Sequence, residues 1–328
     1  MHRWIPLLAF ALVLQVAAAV ALDLRGDRLA AAAPGGPLVA ADLKGADRLV
    51  IDGPLAADGA GKPLPRVELV RKDGRWQLPA SFGAPADAAK VGDLLGRIAG
   101  LRRGLPVATS ADAAERFAVD PHRYERRLVA SHGAQALATL FIGTSPGLRR
   151  ADARVADQPS VYSVDLAAYE LPTGADEWLD TRLLHRDAAS LASIEVAAGD
   201  AKPLVLERVA QAADGHAAWR ADGLDDGRRL DASKAAALAD AIANLKVDRV
   251  LGTAARAEWQ QDRPELTLTL KDAKGQATTW TLSKARSGDT HVLKASDRPW
   301  YLELKSWNAQ PLLDAAARDK LLVAAASH

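Results

Sequence analysis

The chain repeats itself, and a repeat of domain length limits the folds open to it. "DLKGADRLVI", starting at Asp42, returns as "DAASLASIEV", starting at Asp187. "VELVRKDGRWQL" returns as "LVLERVAQAADGHAAWRA", which sets Trp76 against Trp219. Lys90, Leu94, Ile98 and Leu101 match Lys234, Leu238, Ile242 and Leu245 at one constant offset. "ERRLVASHGAQALATLFI" from Glu125 pairs with "ELTLTLKDAKGQATTWTL" from Glu265, and "SVYSVDL" with "PWYLELK", setting Tyr162 against Tyr301. Segments that match in the same order, with a slowly drifting offset, predict one module used twice, over 46–185 and 186–328.

Each copy reads alike. Short strands alternate with period two, as at Val67 and Leu69 or Leu204 and Leu206. A helix follows: Val91, Leu94, Leu95, Ile98 and Leu101 fall on one face, with Asp87 placed to cap it, and Asp231 and Ser233 take that part in the second copy. More strands come next, then a closing helix, in "LAAYELPTGADEWLDTRLL" and in "NAQPLLDAAARDKLLVAA". Runs of strands with segregated helices predict an α+β fold with largely antiparallel sheets. Trp76, Trp219, Trp280 and Trp300 sit in strand patterns and read as core.

Ahead of the repeat, "WIPLLAFALVLQVAAAVAL" runs from Trp4 to Leu22 with Gln15 its only polar side chain. Its length at ~1.5 Å per residue is roughly 28 Å, about the thickness of a bilayer's hydrocarbon core. His2 and Arg3 precede it, so residues 1–22 read as an N-terminal transmembrane anchor, its N-terminus in the cytoplasm and the rest translocated. Ala19-Val20-Ala21 also resembles a peptidase site, which makes a signal peptide the competing reading; the length favours the anchor. Both readings send the body across the membrane. Residues 23–45, with Pro34, Gly35, Gly36 and Pro37, read as a tether.

Several of these segments together resemble a known family. The anchor, "ADRLVIDG", "DGRWQLP", "PADAAKVGDLLGRIAGLR", "LATLFIGTSPGLRRADAR", "VYSVDL" and "DEWLDTRLL" resemble the bacterial family known as domain of unknown function 4340. The resemblance implies an inner-membrane protein with its bulk in the periplasm. It also implies neighbourhood with a gliding-type ABC transport system, whose permease or auxiliary subunit is then the expected partner. It brings no catalytic residues with it.

The sharpest chemical lure is Gly143-Thr144-Ser145-Pro146-Gly147, which spells G-x-S-x-G. A hydrolase elbow sets its serine between a strand and a helix. "LATLFI" supplies the strand, but "LRRADARV" alternates as a second strand and Pro146-Gly147 suits a turn. The second copy has "LSKARSGDTHV" there, without the motif. We read a hairpin turn, with a serine hydrolase using Ser145 as the alternative; His185, His216 and His291 lie downstream, none in a recognisable catalytic context. His185-Arg186-Asp187 resembles a kinase loop without its partners, and "DGAGKP" lacks the residues of a phosphate loop. The seven histidines never fall at metal-ligand spacing, so no metal or cofactor is expected. Without cysteine there are no disulfides or thiolate sites, and a net charge of +1 gives no reason to expect nucleic acid.

The arginine pairs Arg102-Arg103, Arg126-Arg127, Arg149-Arg150 and Arg228-Arg229 read as solvated loop and strand-edge charge. One exception is weighed. Thr144, Ser145, Arg149, Arg150 and Arg154 belong to a hairpin of the first copy alone, which would dock an acidic partner or a polyanionic ligand. A second alternative, a glycan or lipid binding module, needs an exposed aromatic groove, for which Trp178, Trp259 and Trp307 are the candidates. The expected function is thus a non-catalytic accessory protein of the envelope.

Overall fold

The computed structural model describes residues 35–54, 65–199, 201–209, 218–222, 224 and 227–324. A 3-10 turn, Leu43–Gly45, opens it, with the Asp42 carboxylate accepting from the Lys44 N–H at 2.9 Å. β1 (Arg48–Asp52), β2 (Arg66–Lys72), β3 (Arg75–Leu78) and β4 (Ala84–Pro85) follow, then α1 (Ala88–Gly100). Next come α2 (Ala111–Arg116) and the short pair β5 (Val119–Asp120) and β6 (Arg123–Tyr124). β7 (Arg126–His132), β8 (Gln135–Ile142), β9 (Ala151–Val155) and β10 (Tyr162–Val164) succeed them. The opening then recurs. Asp187 accepts from the Ala189 N–H at 2.9 Å and starts the turn Ala188–Ser190. β11 (Leu191–Ala197), β12 (Leu204–Val209), β13 (Ala218–Ala221) and β14 (Arg228–Leu230) lead to α3 (Ala232–Ala243). β15 (Arg249–Gly252), β16 (Leu266–Asp272), β17 (Ala277–Lys284), β18 (Thr290–Ala295) and β19 (Tyr301–Lys305) precede α4 (Ser306–Ala316), α5 (Arg318–Leu321) and β20 (Leu322–Ala324).

The chain divides into two compact units, residues 1–71 with 89–174 and residues 72–88 with 175–328. In the first, the antiparallel order is β10-β9-β8-β7-β1-β2. Leu49 and Ile51 of β1 lie opposite Leu69 and Val67 on one side and Ala130 and Leu128 on the other, all buried. That shared alternation fixes the register, since a slip of one residue would turn the whole set to water. Asp52, buried at the end of β1, is held by Arg127 at 2.8 Å and Arg66 at 3.5 Å. In the second unit the antiparallel order is β13-β12-β11-β16-β17-β18-β19-β15; β14 and β20 form a two-stranded sheet, and β3 pairs with β4. Six strands therefore recur in one order, β2-β1-β7-β8-β9-β10 and β12-β11-β16-β17-β18-β19. The fold is α+β with antiparallel sheets.

The helices obey the sequence pattern. α1 buries Val91, Leu94 and Ile98, and α3 buries Ala235, Leu238 and Ile242, with Leu101 and Leu245 buried just beyond each. Asp231 caps α3 by accepting from the N–H groups of Ser233 and Lys234 at 2.9 and 3.3 Å. α3 packs on α4 and β13.

Three features differ from expectation. The segment 166–184 forms the 3-10 turns Ala168–Glu170 and Ala175–Trp178 instead of a closing helix. Pro172 and Gly174 stand between them and deny a continuous helix its hydrogen bond and its backbone economy. In the last stretch the helix stops at Leu321, and β20 pairs with β14. The described part of the tether, 35–45, is packed: Leu38, Val39 and Leu43 are buried, and the Leu38 N–H donates to the Leu101 carbonyl at 2.8 Å. Among the described residues no helix is long and apolar enough to cross a membrane, and Trp4–Leu22 lies outside them.

Candidate functional site

β8 and β9 are antiparallel neighbours, with Phe141 opposite Arg154 and Ile142 opposite Ala153. Residues 143–150 join them, so Ser145 stands between two strands and no helix follows it. The turn is tied down at both ends. The Gly143 N–H donates to the Asp152 carbonyl and the Asp152 N–H to the Thr144 carbonyl, each at 2.8 Å. The Thr144 N–H donates to the Phe117 carbonyl at 3.0 Å. Its hydroxyl lies 2.8 Å from an oxygen of the buried Asp152 carboxylate and 3.3 Å from the Phe117 carbonyl. One proton serves one of these acceptors at a time, and the charged one is the stronger.

The first glycine of the motif has a packing role. A Cβ on Gly143 would stand 1.9 Å from the Phe117 carbonyl oxygen and 2.6 Å from that of Ala118. Nothing lies within 4 Å of a Cβ on Gly147. The left-handed residue of the turn is Arg149, at φ 61°. Ser145 is exposed, and its hydroxyl donates inside its own turn, 2.6 Å from the Arg150 carbonyl and 2.8 Å from that of Gly147. His185 meets the Ala243 carbonyl and His291 meets Glu265. His216 lies outside the described residues.

The three arginines of this hairpin part company. Arg154 turns inward. Its Nε donates to the Val119 carbonyl at 2.8 Å, its Nη1 to those of Ala156 and Gln158 at 3.3 Å, and its guanidinium lies 5.0 Å from the centre of the Phe141 ring. Burial holds its pKa below the ordinary arginine value, against the pull of Asp120. Arg150 turns the other way, donating to the Ser163 carbonyl at 3.2 Å and lying 3.6 Å from the Asp165 carboxylate. Arg149 is exposed. The predicted residues are thus not gathered into one site: Thr144 is turned to Asp152 and Phe117, Ser145 to its own turn, Arg150 to Ser163 and Asp165, and Arg154 inward.

Arg150 is one wall of a cleft of about 420 Å³ that the sequence reading did not foresee. Its other cations come from the last turn of α1 and the loop beyond: Arg97, Arg102 and Arg103. Cations are favoured at that end of a helix, where unpaired carbonyls gather partial negative charge. Arg97 donates to Glu170 at 2.8 Å and to the Asp165 carbonyl at 3.2 Å. Glu170 also accepts from the Ala167 N–H at 3.0 Å. Burial alone would push the Glu170 carboxyl up, but the hydrogen bonds from Arg97 and Ala167 outweigh it, and its pKa lies below the usual carboxylate value. The same bond raises the pKa of Arg97.

Arg103 is 5% exposed, and its Nε is buried with no hydrogen-bond partner. The backbone sets it there: its N–H donates to the Gly36 carbonyl at 2.8 Å and its carbonyl accepts from the Gly35 N–H at 2.7 Å. The pair Arg102-Arg103 is visible in the sequence, bracketed by Gly100 and Gly104. Which of the two is buried is decided by residues 35–38 from far along the chain.

The aromatic candidates do not form an exposed groove. Trp178 and Trp259 are buried, and Trp307 is exposed beneath Lys305, whose Nζ lies 4.9 Å from the ring centre. Among the described residues no cluster of histidine, aspartate and glutamate has the makings of a metal site.

Antiparallel α+β sheets with an arginine-walled cleft and a tied serine turn describe the class. The chain belongs to the family described as domain of unknown function (DUF4340), whose model matches residues 76–268, more than half of the chain. Neither the curated proteins nor the solved structures contain a match to it.

Proposed function

We propose that this protein is a non-catalytic interaction protein of the bacterial envelope. In this reading Trp4–Leu22 holds it in the inner membrane, the body lies in the periplasm, and it serves an ABC-type transport system as an accessory subunit. One α+β module, over 46–185 and 186–328, is used twice. The recurring strand order supports the duplication, and so does the burial of matching helix positions.

The observation that carries the non-catalytic reading is the geometry of Ser145. A nucleophilic serine needs its proton directed at a base and oxyanion donors in front of it. Here the hydroxyl is aimed at carbonyl oxygens of its own turn, and carbonyls accept no proton at neutral pH.

Three measurements test the proposal together. A fluorophosphonate probe should leave the full chain unlabelled, and stoichiometric labelling at Ser145 would overturn the non-catalytic reading. A reporter active only outside the cytoplasm, fused after His328, should work. Activity of a cytoplasm-only reporter at that end would overturn the address. Affinity purification from solubilised membranes, read by mass spectrometry, should recover a permease or its auxiliary subunit. Recovery of neither would overturn the transporter assignment.

A further inference from the structure

We infer that the arginine cleft between the end of α1 and β10 is a binding site for a phosphate group, with an anionic phospholipid headgroup as its source. The inference goes beyond the envelope reading and stands on the cleft alone.

The cleft holds four arginines, and their charge is unevenly answered. Arg97 is paired with Glu170. Arg150 donates to the Ser163 carbonyl, and its one counter-charge among the described residues is Asp165 at 3.6 Å, a carboxylate that is 87% exposed. The guanidiniums of Arg102 and Arg103 have no ion pair or hydrogen bond among the described residues. Arg103 is the telling one. A surface arginine without a partner is solvated by water, but this one is nine-tenths buried with an orphaned Nε. Burying a cation without a counter-charge is costly, and an anion that enters the cleft removes that cost.

The chemistry selects the anion. Two neighbouring guanidiniums without partners, and a third weakly paired, call for more than one negative charge and for acceptors in several directions. A planar monoanionic carboxylate satisfies one guanidinium fork. A phosphate presents oxygens around a tetrahedron and accepts from several forks at once. The cleft, at about 420 Å³, is of the size of small-molecule sites, which run to roughly 300–1,000 Å³. Leu101 and Val164 line it beside the arginines, so an ester substituent meets apolar wall.

Residues close in sequence to those that line the cleft point to the source. Leu105 follows Arg102, Arg103 and Gly104, Leu148 precedes Arg149 and Arg150, and Tyr169 precedes Glu170, the partner of Arg97. All three are exposed, Leu148 almost completely. Exposed apolar side chains next to a cluster of arginines match a lipid surface, where the phosphate lies just above the acyl chains.

The test uses the full chain in uncharged detergent micelles at constant ionic strength. One arm titrates inorganic phosphate against a chloride control. The other dopes the micelles with phosphatidylglycerol or, as control, phosphatidylcholine. Binding and the thermal midpoint are read in both. The wild type should bind, with a raised midpoint, in at least one arm. Arg103→Met, which keeps the volume and removes the charge, should weaken binding by about tenfold or more and abolish the shift. Should Arg103→Met fail to fold, the exposed Arg102→Gln provides the same comparison. Response to phosphatidylglycerol but not inorganic phosphate supports the headgroup. Response to inorganic phosphate alone supports the phosphate site and overturns its lipid source. Binding in neither arm, or binding left unchanged by Arg102→Gln and Arg103→Met, overturns the site.

Discussion

Gly143→Ala is the substitution that most directly tests how the serine turn is built. The added Cβ would stand 1.9 Å from the Phe117 carbonyl oxygen, where real Cβ atoms keep at least 3.0 Å. Phe117 ends α2 and Ala118 beside it holds a left-handed φ of 53°, so the obstacle is backbone, with no flexible side chain to yield. The two segments must separate by about an ångström. That strains the Thr144 N–H bond to Phe117 and the Gly143 N–H bond to Asp152. Overpacking of this kind costs about 1–3 kcal/mol, and each hydrogen bond lost about 0.5–1.5 kcal/mol. Together they amount to about 2–6 kcal/mol. Gly147→Ala is the internal control. Its Cβ meets nothing, so a change within about 0.5 kcal/mol is expected. Amide hydrogen exchange read by mass spectrometry over β8 and β9 measures both. The first variant should exchange there roughly thirtyfold faster or more, and the second as wild type. Equal protection in Gly143→Ala and wild type would refute the packing account.

Three further outcomes are expected. Ser145→Ala removes a hydroxyl from an exposed turn and should change stability by less than about 1 kcal/mol in urea denaturation followed by circular dichroism. Leu238→Ala empties a fully buried position of α3 and should cost about 2–5 kcal/mol by the same measurement. Glu170 has a pKa below its ordinary 4.5, so its bond to Arg97 contributes stability above that pH and loses it as pH falls through the lower, folded value. The stability gap between wild type and Glu170→Gln should therefore be present at neutral pH and close as pH falls below about 4.5. Arg97 is half exposed, so that gap should not exceed about 1 kcal/mol.

The sequence discloses what repeats locally and conceals what is settled at a distance. Val91, Leu94 and Ile98 are legible because helical spacing alone puts them on one face, and Asp231 because capping is a matter of two or three neighbours. The order β2-β1-β7 is foreshadowed because matching strands in two copies must find matching neighbours. By contrast, residues 72–88 lie in one unit while the strand before them and the helix after them lie in the other. No periodicity records such a division. The same holds for the cleft. Arg154 and Arg150 are both polar letters of one hairpin, yet one is taken up by carbonyls from β5 and the loop after β9 and the other faces the cleft. Trp178 falls outside every strand pattern and is fully buried all the same, since an indole in a 3-10 turn packs as well as one in a strand.

The division into units has an optical consequence. Of eight tryptophans, the seven among the described residues, from Trp76 to Trp307, all belong to the unit of 72–88 and 175–328. The eighth is Trp4. The other unit carries Tyr124, Tyr162 and Tyr169 and no indole among its described residues. With Trp4 replaced by phenylalanine, indole emission from this chain reports on one unit and is silent about the other. A fluorescence melting curve would then record that unit by itself, and its midpoint set against that of circular dichroism, which sees both, would ask whether the two units unfold together.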